Sequence, residues 1–140
     1  MKRRVGFSMM EVVTSVALIA VLLAVALPAV KGARERSREE ALRSHLALVR
    51  SAADAFALDM GCLPSTLGVL TSVTAPSTCV TSAGSTASAD PKRFRGPYLP
   101  YLDPDPVSGA ALSYSPSGSG AKITSSATGN DSKGVPYSAY

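Results

Sequence analysis

Nineteen consecutive residues, Val12 to Val30, carry no charge. As a helix such a run spans about 28 Å, close to the thickness of a bilayer's hydrocarbon core. It is bounded by Glu11 on one side and Lys31 on the other. An isolated carboxylate is costly in hydrocarbon, so one at the head of such a run marks a functional position. Pro28 lies near the end of the run, where it removes one helical hydrogen bond and bends the axis, which helices in lipid tolerate. A cleaved secretory signal is the plain alternative, with Ala24-Val25-Ala26 as its small-residue site. The length of the run and the position of Glu11 argue against it.

Beyond Lys31 the pattern changes from apolar to amphipathic. Leu42, Leu46, Val49, Ala53, Phe56 and Met60 recur every three or four residues, which is one face of a helix. Arg36, Glu39, Glu40, Arg43 and Arg50 occupy the other face, with Arg36–Glu40 and Glu39–Arg43 spaced to pair. Gly61 is a C-cap candidate, and Pro64 forbids continuation soon after. The spacing therefore predicts one helix from about Ser8 to Met60, roughly 80 Å long. A small domain cannot bury a helix of that length, so its first half belongs in lipid or against copies of itself.

The remaining chain, 61–140, is rich in Ser, Thr, Gly, Pro and Ala, and reads as loops and short strands around a small core. Leu67, Val69, Leu70 and Val73 are the core candidates of a Ser/Thr-rich connection from Cys62 to Lys92. SAGSTASAD reads as mobile. GPYLPYLDPDP reads as a rigid extended turn. ALSYSP and AKITSSA, with PSGSG between them, read as a β-hairpin, and GVPYSAY as a third strand. The fold expected is α+β, a long N-terminal helix with a small C-terminal antiparallel sheet.

The net charge of +4 is concentrated at the start. Without Lys2, Arg3 and Arg4 the balance is 14 − 3 = 11 positive against 10 negative. This basic flank to an apolar run is the pattern that stays cytoplasmic. The charge is thus no sign of nucleic-acid binding. Cys62 and Cys79 are the two cysteines, and if the C-terminal part is exported they can pair in an oxidising compartment. No second CxxC or His pair supports zinc, and no metal site or cofactor is expected. His45, the single histidine, sits on the amphipathic helix and makes no catalytic set with the cysteines, so no enzyme activity is expected. SGSGAK lacks the spacing of a phosphate loop. Lys92, Arg93 and Arg95 around Phe94 read as a solvated loop.

The stretch GFSMMEVV, with the basic leader before it and the apolar run after it, resembles the N-terminus of type IV prepilins and type II secretion pseudopilins. That family has a basic leader ending in Gly, then Phe, a Glu five residues into the mature chain, and an uninterrupted apolar helix, often bent by a proline as at Pro28. The resemblance covers residues 1–30, and the long-helix architecture extends it to about 60. It implies a leader 1–6, a membrane and filament-core helix 7–30, an amphipathic stem 31–60 and a small external domain 61–140. It implies cleavage between Gly6 and Phe7 by a prepilin peptidase, methylation of the Phe7 amine, and a pairing of Glu11 with the Phe7 amine of a neighbouring subunit. The implied partners are copies of the chain and related pilins, the peptidase, and an inner-membrane platform with a cytoplasmic ATPase. The implied location is the inner membrane, then a periplasmic or surface filament.

GPYLPYLDPDPVSGAALSYSP resembles, more loosely, a segment of major pseudopilins through Gly96, Tyr98, Leu99, Leu102, Asp105, Pro106, Gly109 and Tyr114. Val107 stands where Trp is frequent. Such pseudopilins often hold calcium in a C-terminal loop. Here Asn130 and Asp131 are followed by no acidic residue, so calcium is not expected. Three functions follow as expectations. One is a subunit of a secretion pseudopilus. Another is a major or minor pilin of a surface pilus for motility, adhesion or DNA uptake. The last is a single-pass anchor for a small periplasmic binding domain.

Overall fold

In the computed structural model, which describes residues 8–117 and 120–140, Met9–Met60 form one helix, α1. The Ser8 carbonyl accepts the first-turn N–H groups of Glu11 and Val12, at 3.0 and 3.3 Å. At the other end Gly61 turns left-handed (φ 72°), and its N–H donates to the Ala57 carbonyl at 2.8 Å. Only glycine takes that conformation without strain. The last turn of α1 holds no basic residue. The Arg93 guanidinium lies over Gly61 instead, where a Cβ would meet its Nη1 at 3.2 Å. A cation from a later segment therefore faces the negative end of the helix.

Two units meet within α1, residues 1–37 and 38–140. From Met9 on the first is helix, with its apolar side chains in the open. Leu18, Leu22 and Val25 are 67%, 70% and 74% exposed. This is the one helix among the described residues that is long and apolar enough to cross a membrane.

The second unit is built on the inner face of α1. Leu42, Leu46, Val49, Ala53, Phe56 and Met60 are all buried, as their spacing predicts. Leu67, Leu70, Leu99, Leu112 and Ile123 cover them. Phe94 and Tyr98 pack edge-on to Phe56, with ring centroids 6.4 and 5.5 Å away. The Leu70 carbonyl accepts the N–H groups of both Tyr98 and Leu99, at 2.8 and 2.9 Å, and so fixes the second covering segment to the first.

The strands form two antiparallel hairpins rather than one sheet. β1 (Thr78–Val80) pairs with β2 (Thr86–Ser88), Cys79 opposite Ala87. β3 (Ser113–Ser117) pairs with β4 (Gly120–Thr124), Tyr114 opposite Ile123. The second hairpin is the one expected from sequence. The first replaces the mobile segment expected at SAGSTASAD. Its turn is closed by hydroxyls, Thr81 Oγ1 lying 2.9 Å from Ser85 Oγ, so the Ser/Thr content builds a turn instead of loosening the chain. Val73 is not core but 76% exposed. The 3-10 turn Leu67–Thr71 ends just before it, and the Ser72 hydroxyl bonds the Thr74 carbonyl at 2.8 Å, turning Val73 outward.

The tail is not a third strand. A single bridge joins Asn130 and Pro136, and a 3-10 turn follows at Tyr137–Ala139. Pro136 offers no N–H to a ladder. The tyrosines after it are engaged by α1.

Cys62 and Cys79 form a disulfide, tying the chain just after α1 to β1. Beside it Leu63 bridges Val80. The bond closes a loop that the chain-entropy model values at on the order of 3 kcal/mol. Reduction should lower the unfolding free energy of the second unit in urea by that amount, and Cys62→Ser with Cys79→Ser should give the same loss without reductant.

Candidate functional site on the N-terminal helix

Glu11 stands in the first turn of α1, exposed. A helix N-terminus carries partial positive charge, which favours a carboxylate there. The next turn is tied to its backbone. Ser15 Oγ donates to the Glu11 carbonyl at 2.7 Å, and Thr14 Oγ1 to the same carbonyl at 3.1 Å. Both hydroxyls are thus satisfied within the helix and add no free donor to its apolar surface. Among the described residues no side chain pairs with the Glu11 carboxylate, which leaves it free for a cation from elsewhere. Pro28 lies within the helix. Gly6, Phe7 and the Pro28 side chain lie outside what the structure describes.

The second unit carries polar sites that periodicity did not indicate. The expected Glu39–Arg43 and Arg36–Glu40 pairs do not form. Glu39 is buried and accepts from the Ser132 N–H and hydroxyl, each at 2.7 Å. Arg43 turns to Asp131, 3.1 Å away, and to the Tyr140 hydroxyl at 2.5 Å, with its guanidinium 4.9 Å from the Tyr140 ring centre. It keeps only a 4.0 Å contact to Glu40. Arg50, placed on the outer face by sequence, donates through Nε and Nη2 to the Ile123 carbonyl of β4, at 3.2 and 2.6 Å. Polar residues flanking the buried stripe are drawn inward because the loops packed there offer them partners.

Two aspartates organise those loops alike. Asp105 is fully buried. Its Oδ1 accepts from the N–H groups of Val107 (2.8 Å) and Ser108 (3.2 Å), and its Oδ2 from the Ser125 hydroxyl (2.5 Å) and the Ser126 N–H (3.0 Å). Asp131 Oδ1 accepts from the N–H groups of Lys133 and Val135, both at 2.8 Å, while its Oδ2 takes Arg43 and the Tyr140 hydroxyl. In each, one oxygen closes its own loop and the other ties that loop to a different element. Gly109 and Gly134 turn left-handed in these loops, at φ 72° and 82°. The sequence signal is an Asp three or four residues before a Gly. The Asp131 carboxylate is thereby committed to the chain's own donors. Among the described residues no cluster of three metal-ligating side chains forms.

Burial by itself raises the Asp105 carboxyl, but the Ser125 hydroxyl and three backbone N–H groups outweigh it and hold it below the usual carboxylate range. The Tyr140 hydroxyl, above all, does the same for Asp131, helped by the N–H groups of Val135 and Lys133 and by Arg43, against burial. Carboxyls depressed in the folded state add stability that is present above their unfolded pKa, about 4, and lost as pH falls through the folded values. Urea midpoints should be level from about pH 7 to 5 and drop below about pH 4. Asp105→Asn should lower the unfolding free energy at neutral pH by about 1–3 kcal/mol and make the acid limb shallower.

No family model matches the chain, and no curated protein or solved structure matches it.

Proposed function

We propose that the chain is a structural subunit of a type IV pilus-like filament, processed by a prepilin peptidase and polymerised from the inner membrane, most like a type II secretion pseudopilin. One observation carries the reading. Glu11, without a side-chain partner among the described residues, heads an exposed helical run, 12–30, that carries no charge, five residues into the chain that a cut between Gly6 and Phe7 would leave. In this reading the cut removes Lys2, Arg3 and Arg4, which otherwise hold the N-terminus at the cytoplasmic face. The methylated Phe7 amine stays positive. In a low-dielectric filament core it attracts Glu11 of a neighbouring copy, and either charge left alone is costly. The pair therefore selects the assembled register. The choice of a pseudopilin over a surface pilin rests on the looser likeness of residues 96–114, where Asp105, Leu99 and the Tyr114 hydroxyl on the Pro64 carbonyl are interior contacts.

Mass spectrometry of the N-terminus, on sheared surface material and on the envelope fraction, should find a chain beginning at methylated Phe7, confined to the envelope. The same species in sheared filaments would make it a surface pilin. A chain beginning at Met1 in both would leave a membrane anchor. Glu11→Val should remain membrane-inserted and lose most of its sedimentable polymer, and undiminished polymer from that variant would overturn the pairing.

A further inference from the structure

The first charges beyond the apolar run are basic. Between residues 31 and 37 stand Lys31, Arg34 and Arg36 against Glu35 alone, and Arg38 follows as the second unit begins. All are exposed, and among the described residues none forms an ion pair. The other acids that helix spacing offers them are engaged elsewhere. Glu39 is buried on Ser132, and Glu40 keeps only its 4.0 Å contact with Arg43. Glu35 follows Lys31 by four residues, the weaker order for a helical pair. The excess of positive charge is therefore not neutralised within the chain.

Its placement decides what it can meet. From Lys31 to Arg36 the helix rises about 7.5 Å, roughly the depth of the headgroup layer on one side of a bilayer whose hydrocarbon ends near Val30. At about 100° per residue, Lys31 and Arg34 share one side of α1 and Arg36 lies across from them. A patch made for one protein partner would be one-sided. Charges on both sides suit surroundings that encircle the helix. Gly32 adds room among them. A Cβ there would meet nothing within 4 Å, so no packing neighbour requires this helix-weakening residue. The long basic side chains can lay their stems on the apolar boundary and hold their charged ends at phosphate depth. A flank followed by a long exported domain crosses the membrane largely regardless of its charge, so these residues can lie on the far side.

We propose that Lys31, Arg34 and Arg36 form a collar that binds the phosphate of anionic lipid headgroups, of the phosphatidylglycerol kind, at the C-terminal end of the span. The collar presupposes that 12–30 lies in a bilayer, as in the function proposed above, and is independent of filament assembly. To test it, the full-length chain is recovered from carbonate-washed membranes in a non-ionic detergent and mixed with equal amounts of phosphatidylglycerol and phosphatidylcholine. Native mass spectrometry then counts its lipid adducts. Phosphatidylglycerol adducts should outnumber phosphatidylcholine adducts roughly tenfold, at a few-fold for each cation. Lys31→Gln, Arg34→Gln and Arg36→Gln together should bring the ratio below about twofold, with Arg38 still present, and Glu35→Gln should raise it about twofold. The triple variant should keep the urea midpoint of the small unit. Chains with and without residues 1–6 differ in mass, so any part played by Lys2, Arg3 and Arg4 is read in the same spectrum. Equal adducts on the native chain, or a preference that survives the triple variant, would overturn the collar. Loss of the preference to excess inorganic phosphate would reveal a general anion site and overturn the headgroup assignment. Release of the chain by carbonate would sink the spanning helix and the collar with it, whereas retention without lipid preference sinks the collar alone.

Discussion

Burial of one stripe of α1 is the constraint on which the small unit depends. Leu42 through Met60 present a long apolar stripe to the Ser- and Gly-rich part of the chain that covers it. Every covering element is short, a 3-10 turn with Leu67 and Leu70, an irregular segment with Leu99, two hairpins contributing Cys79 and Ile123. None of these has a partner large enough to stand without the helix. The aromatic contacts of Phe56 with Phe94 and Tyr98 concentrate the packing near the C-terminal end of α1. The disulfide lies next to that end.

Where apolar residues run out, carboxylates take over the task of fixing loops. Asp105 and Asp131 each collect donors from their own turn and from a distant element. A buried, fully satisfied carboxylate is rigid in a way that a few alanines and serines are not. The arrangement also places the loops 105–109 and 131–134 under the control of single residues. That is economical in a chain whose sheets are two-stranded hairpins, which alone are marginal in water.

Much of this was legible in the sequence where a period or a stop signal was strong. The ends of α1, its buried stripe and the β3–β4 hairpin follow from spacing, from Ser8, Gly61 and Pro64, and from the PSGSG turn. The β1–β2 hairpin was hidden because Ser/Thr runs serve equally as disordered linkers and as hydroxyl-closed turns. Spacing pairs Glu39 with Arg43 because it sees only neighbours on the same helix, while their real partners lie about ninety residues on. GVPYSAY reads as a strand, yet the Tyr137 hydroxyl reaches Glu39 and the Tyr140 ring lies under Arg43 of α1. Of the candidate site, Glu11 was plain from charge against hydropathy alone. Asp105 and Asp131 were not, because an Asp-to-Gly spacing is common in ordinary turns.

The placement of the C-terminal segment has a mechanical consequence. The chain passes from the apolar half of α1 into the small unit at Arg38. Traction along that helix meets its first tertiary bonds at Glu39 and Arg43, which hold Ser132, Asp131 and Tyr140. The covalent link lies at the other end of the helical stretch, at Cys62. Load is thus taken up first by hydrogen bonds and an ion pair, which break and re-form. Leu42, between Glu39 and Arg43, is already part of the buried stripe, so the segment 129–140 shares that load with the first turn of the core.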